Sequence, residues 1–181
     1  MRIETERLLL REFESTDWQA MLAYWNDERY QRFYEEPKDQ EAAVRELLDR
    51  FVVSQTEEPR RMWQLAITDP RSGRLIGNCG IRVKNPVHRE ANTGWELDPN
   101  VWGHGYATEA ARAILGFGFG ELGMHRVWAE CNAENVRSVR VMERLGMRRE
   151  AHFRKHQWFR GRWWDTLIYA ILDHEWSGGR E

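Results

Sequence analysis

Only two cysteines, Cys79 and Cys131, occur in 181 residues. Two thiols cannot build a disulfide scaffold, and both are expected to be reduced, as in a cytoplasmic protein. Long hydrophobic runs are also missing. The longest, LIYAIL from Leu167 to Leu172, falls far short of a membrane span. Neither sign of charge dominates: 27 Lys and Arg stand against 29 Asp and Glu, for a net charge of -2. That balance excludes the usual reasons to expect nucleic acid or an anionic membrane as a direct partner. The opening MRIETERLLLREFE mixes charged and apolar residues too early for a signal peptide. His125 and His156 lack metal-ligand spacing, so no metal is expected. No repeat, low-complexity tract or linker divides the chain. Its length suits one domain over residues 1–181 with a sizeable core.

What is present reads as alternating elements. Thr5 to Phe13, TERLLLREF, predicts a first strand. Ser15, Thr16 and Asp17 are cap candidates before a helical pattern, STDWQAMLAYWND. Asp39 to Gln55 predicts a second helix with Ala43, Leu47, Leu48 and Phe51 on its apolar face. Met62 to Val83 reads as a hairpin turning at PRSG, and Ala91 to Asp98 as another strand. A helix to about Leu122 follows, then a strand from His125 to Cys131. The next helix runs from an Asn135 cap to a Gly146 stop, with Val139, Met142 and Leu145 along one side. MRREAHFRKHQWF, RGR and WWDTLIYAIL close the chain as a long hairpin. This order predicts an α/β (α+β) fold, with a mixed, largely antiparallel sheet flanked by helices.

The stretch NVWGHGYATEAARAIL, from Asn100 to Leu115, places Gly103 and Gly105 just ahead of a helix. A helix N-terminus exposes unpaired N–H groups and partial positive charge. Glycines there let the main chain approach an anion closely. The reading is a pyrophosphate cradle, weighed against a plain tight loop. A P-loop would need Gly-Lys-Ser/Thr, which is absent. A dinucleotide fingerprint would need a third glycine where Thr108 stands. Gly116, Gly118 and Gly120 cost the helix roughly 1 kcal/mol each against alanine, so packing through Ala107, Ala110, Ala111 and Ile114 must hold it.

WGHGYATEAARAIL resembles the acyl-CoA pyrophosphate loop of the GNAT N-acyltransferases, especially the branch with ribosomal-protein N-terminal (Rim-type) acetyltransferases. TERLLLREF, LIGNCGI, TGWELDP, HRVWAECNAENVRSVRVMERLGMRREAHFR and WWDTLIYAILDHEW match the family in order, so the likeness spans nearly the whole chain. It implies a central sheet splayed between the strands of TGWEL and RVWAEC, with acetyl-CoA lying between them. The pantetheine would pair with main chain near Glu96 and Leu97. The diphosphate would sit on the segment Trp102, Gly103, His104, Gly105, Tyr106, Ala107 and Thr108. By the same resemblance Asn135 would hydrogen-bond the pantetheine arm and Ser138 would lie near the sulfur as candidate acid. As residue types, both also suit a helix cap and first turn.

The implied reaction is attack of a neutral primary amine on a thioester, giving an amide and free CoA. The acceptor implied is a peptide or protein N-terminal amine. An acetyltransferase for a small amine or antibiotic, and a catalytically idle acyl-CoA-binding protein, stand as alternatives. The protein would work as a monomer or homodimer. Relatives often carry a glutamate two residues before the glycine of TGWEL, and here Asn92 stands there. Asparagine is no base, which leaves Glu96, Glu130 and Glu150 as candidates. Trp25, Trp63, Trp158, Trp163 and Trp164 either wall an acceptor pocket or, at their spacing, fill core. Arg137, Arg140, Arg144, Arg148 and Arg149 either pair with Glu134, Glu143 and Glu150 or meet phosphates.

Overall fold

The computed structural model describes residues 1–34 and 37–178. The expected hairpin forms its middle: β3 (Met62–Thr68) pairs antiparallel with β4 (Leu75–Asn85). Asp69 closes the turn by accepting from the Arg71 N–H and the Ser72 hydroxyl. β5 (Glu90–Leu97) continues the meander, and β6 (Arg126–Asn132) lies parallel beside it. β7 (Arg148–Phe159) and β8 (Arg162–Leu172) form the closing hairpin.

The expected first strand, Thr5 to Phe13, is shorter than its pattern, and a further strand precedes it. β1 (Arg2–Glu4) and β2 (Leu9–Glu12) are two short antiparallel strands. Thr5 causes the break, because its hydroxyl binds both the Leu8 N–H and the Leu8 carbonyl and turns the chain. The whole is one eight-stranded sheet in the order β1-β2-β3-β4-β5-β6-β8-β7.

Helices cover both faces. On one lie α1 (Trp18–Trp25), the single turn α2 (Glu28–Gln31) and α3 (Gln40–Ser54). The sequence pattern did not show α2. The face α3 buries is Val44, Leu48, Phe51 and Ser54, so Val44 replaces the expected Ala43, and Leu47 is only partly buried. On the other face lie α4 (Tyr106–Gly120) and α5 (Val136–Arg144). Ala110, Ala111, Ile114 and Leu115 of α4 are fully buried against the sheet. Gly118 allows that closeness: a Cβ there would stand 2.5 Å from Ile81 Cδ1. Among the described residues, no helix is long and apolar enough to cross a membrane.

The feature that positions the site is the seam between β5 and β6. They pair only at Glu90–Arg126, Ala91–Val127 and Asn92–Trp128. Beyond Asn92, β5 stays with β4 as far as Leu97, and β6 stays with β8 as far as Asn132. The two strands diverge, and main chain facing the gap is left without a strand partner. Such groups need another partner or water.

Candidate functional site

Two cavities meet at this divergence. The first, of about 330 Å³, opens at the N-terminus of α4. Gly103 (φ 87°) and Gly105 (φ 82°, the N-cap of α4) both take the left-handed conformation that side chains resist. Trp102, Gly103, Gly105, Tyr106, Ala107 and Thr108 line it, with Glu96 and Leu97 across the gap. His104 is the exception within the segment. It is exposed and off the wall, with its ring stacked on Tyr106 at 5.7 Å. The Trp102 indole N–H donates to the Leu97 carbonyl at 2.9 Å and ties the loop to the end of β5.

The loop is also held from the start of the chain. Glu109 accepts from the Thr5 hydroxyl (2.6 Å), the Arg7 N–H (2.8 Å) and Arg7 Nε (2.7 Å). Arg7 donates as well to the His104 carbonyl (2.9 Å) and covers the Tyr106 ring at 4.9 Å. Burial pushes the Glu109 carboxyl up, but these donors outweigh it and hold it below the usual carboxylate range. Sequence spacing gave no sign of a contact between residues about a hundred positions apart.

Of the basic cluster, Arg137, Arg140 and Arg144 line this cavity, and Arg148 and Arg149 do not. The expected pairing with nearby glutamates does not occur for these three. Glu134 pairs with Arg162 and Glu150 with Arg126. Instead, Arg137 lies over the Trp102 ring at 4.8 Å. Three cations without a carboxylate partner among the described residues, beside open N–H groups, suit an anion.

The second cavity, of about 210 Å³, lies next to the first along the β5–β6 gap, also under Phe33 and Tyr34. Its floor is polar. Arg82 donates to Gln64 Oε1, Gln64 Nε2 donates to Asn78 Oδ1 (2.6 Å), and Asn78 Nδ2 donates to Glu96 Oε2 (3.0 Å). A guanidinium can only donate and a carboxylate can only accept, so both amide orientations are fixed by the ends of the chain. Gly80 makes room for it: a Cβ there would stand 2.3 Å from Gln64 Oε1. Asn78 also donates to the Tyr24 hydroxyl at 3.1 Å. Burial, with the Glu96 charge adding to it, pushes that phenol well above its ordinary range.

Phe33, Tyr34, Trp95, Glu96, Asn135 and Ser138 line both cavities. Asn135 caps α5, its Oδ1 accepting the Ser138 N–H at 3.2 Å. Of the carboxylates considered from sequence, Glu96 and Glu130 reach the second cavity, and Glu150 is turned away to Arg126. Asn92 is on the wall of neither cavity.

The tryptophans singled out from sequence are likewise on neither wall. Trp25 packs against the apolar cluster of Met21, Tyr24, Leu48 and Phe51, Trp63 against that of Ile81 and Ile114, Trp164 is buried, and Trp158 and Trp163 are exposed at the tip of the β7–β8 hairpin. The aromatic walls are Tyr30, Phe33, Tyr34, Trp95 and Trp102. Among the described residues no cluster could hold a metal ion.

Residues 7–148 match the acetyltransferase (GNAT) domain. Over 177 residues, 98% of this chain and the whole of the other, the sequence is 38% identical to YnaD, an uncharacterized N-acetyltransferase of Bacillus subtilis. It is 26% identical to the spermidine N(1)-acetyltransferase of Escherichia coli (strain K12), over 86% of this chain and 76% of that one. The crystal structure of an acetyltransferase (GNAT family) from Bacillus anthracis superposes with a TM-score of 0.83 at 34% identity, covering 96% of this chain and 99% of that one.

Proposed function

The chain belongs to the GNAT acetyltransferase family, and on that premise we propose that it transfers an acetyl group from acetyl-CoA to the α-amine of a peptide or protein N-terminus, in the cytoplasm. The observation that carries this reading is the junction. Glu96, Asn135 and Ser138 border the cationic cavity on one side and the cavity under Phe33 and Tyr34 on the other. A donor in the first cavity and an acceptor in the second would meet there in one ternary complex.

The residues fit the cosubstrate. The N–H groups from Gly103 to Thr108 and the guanidinium groups of Arg137, Arg140 and Arg144 match a diphosphate in charge and donor chemistry. The gap between β5 and β6 offers main chain near Glu96 and Leu97 to an extended amide-bearing arm. Asn135 holds α5 in place as its cap and stands beside that arm.

The chemistry then needs three things: loss of a proton from the incoming ammonium, formation of the amide bond, and departure of the sulfur. Glu96 takes the proton, being the carboxylate at the junction. The amine nitrogen attacks the thioester carbonyl, the C–S bond breaks, and Ser138 donates toward the departing sulfur. A thiol of pKa about 8.5 leaves without strong help, so the contribution of Ser138 is at the low end of acid catalysis.

An α-amine favours this arrangement. Its pKa of about 7.7–8.0 leaves roughly a tenth neutral at pH 7, against well under one part in a thousand for a lysine. The test is thiol release from acetyl-CoA with a free-N-terminal peptide and its N-blocked, lysine-containing twin. Turnover of the first and not the second is expected. A preference for the lysine removes the α-amine assignment.

A further inference from the structure

The floor of the second cavity carries opposite charges at its two ends, and the cation there has no carboxylate partner among the described residues. Arg82 is the one cation on that wall among the described residues. Its side chain donates to the neutral Gln64 oxygen, and no described carboxylate lies within ion-pairing distance of it. Gln64 donates to Asn78, and Asn78 donates to Glu96 as well as to the Tyr24 hydroxyl. The two amides therefore act as a spacer that keeps guanidinium and carboxylate apart. Among the described residues, Gln64 is the hydrogen-bond partner of the Arg82 side chain, which carries five N–H donors.

Burial pulls the Arg82 guanidinium below its ordinary value, against the pull of the Glu96 charge. A partly buried cation in that position is costly unless something anionic completes it. Glu130 also faces the cavity. The Cys131 thiol there is pushed up to about 12, by burial first and the Glu130 charge second, so it stays neutral and supplies no counter-charge.

We infer that Arg82 is a specificity residue that binds a carboxylate on the acceptor, so that the enzyme selects primary amines carrying a carboxylate a short distance away. The inference rests on the acetyl-transfer reading above and sharpens it. The acceptor ammonium enters beside Glu96, where its proton is lost, while its carboxylate takes a forked pair of hydrogen bonds from Arg82. A free amino acid and a peptide with an acidic side chain near its N-terminus offer the same chemistry. An all-cationic polyamine meets repulsion from Arg82 and finds no anion-binding use for it.

The experiment compares four acceptors on wild type, Arg82→Gln and Arg82→Lys: free serine, Ser-Glu amide, Ser-Gln amide and spermidine. For wild type, one or both carboxylate-bearing acceptors should exceed Ser-Gln amide and spermidine in kcat/KM by about tenfold or more, the range expected of a charged hydrogen-bonded pair. Which of the two wins identifies the source of the carboxylate. Arg82→Gln should erase the advantage and Arg82→Lys should restore part of it, with calorimetric CoA binding showing that each variant is folded. Equal rates for Ser-Glu and Ser-Gln amides and free serine, or an advantage that survives Arg82→Gln, overturn the inference.

A second readout separates it from failure of the parent reading. The same acceptors are titrated onto the CoA-bound protein with tryptophan fluorescence as signal, since Trp95 lines the cavity. If no acceptor turns over, yet carboxylate-bearing ones bind more tightly in an Arg82-dependent way, acetyl transfer to these amines is wrong and the Arg82 assignment stands. Binding without carboxylate preference overturns the assignment.

Discussion

The cavity at the mouth of α4 takes one wall from a continuous stretch, Trp102 to Thr108, and the rest from the aromatics Tyr30, Phe33 and Tyr34, the end of β5 and the arginines of α5. The cavity under Phe33 and Tyr34 is made of side chains that β3, β4, β5 and β6 bring together from Gln64 to Asn132. The diphosphate contact proposed for the first is through N–H groups, which every non-proline residue has, so its requirement is conformational: glycine where φ is positive. The second depends on which side chains face one another across the register, as Arg82, Gln64, Asn78 and Glu96 do. A surface of the first kind suits a constant ligand. One of the second kind can be changed residue by residue, which suits an acceptor that differs between relatives.

The difference can be tested by perturbing one side at a time. The largest expected effect is at the junction. Glu96→Gln keeps an acceptor for Asn78 and removes the proton-accepting charge, so kcat should fall by about 10²–10⁴-fold with the CoA Kd little changed. An unchanged kcat would take Glu96 out of the proton transfer. Next comes Gly80→Ala, whose Cβ would press on Gln64 Oε1 at 2.3 Å and the Trp63 carbonyl at 2.6 Å. Overpacking should cost about 1–3 kcal/mol in thermal unfolding and raise the acceptor KM while CoA affinity holds.

Gly105→Ala is the mirror experiment. Nothing but the Arg7 guanidinium, 3.5 Å away, meets the new Cβ, so the cost is the left-handed φ alone, about 1–2 kcal/mol. CoA should bind roughly tenfold more weakly, with the acceptor KM unmoved. If Gly80→Ala and Gly105→Ala affect both ligands alike, the two cavities are not separable.

The smallest effect concerns the support of the loop. The folded Glu109 carboxyl sits below its ordinary value. Its contribution is therefore complete above the unfolded value of about 4.3 and is lost as pH falls through the lower folded value. Glu109→Gln should lower Tm by about 2–4 °C at pH 7, and the gap to wild type should close on acidification below about pH 4. A gap that persists unchanged would mean that packing, and not charge, holds this end of α4.

Legibility in the sequence follows the same division. The 62–83 hairpin, the closing hairpin, the Asn135 cap and the Gly146 stop were all readable, because each depends on residues a few positions apart. β1 and the turn after it were not, since the expected strand began at Thr5 and only that residue's hydroxyl partners show the turn. Nor were the wall aromatics: tryptophans were counted from sequence, but Trp158 and Trp163 stand in solvent while Tyr30, Phe33 and Tyr34 line the cavities.

By itself, the amino-acid order determined the strand and helix succession, apart from β1 and α2, and the glycine-led mouth of α4, because backbone conformation answers to local sequence. Tertiary structure alone decided that Arg7 would brace that mouth through Glu109, that β5 and β6 would part after Asn92, and that Arg82 and Glu96 would face one cavity joined by two amides. Those are outcomes of register and of packing between distant segments. The pattern of side chains along any one strand does not contain the partner that folding will place opposite it.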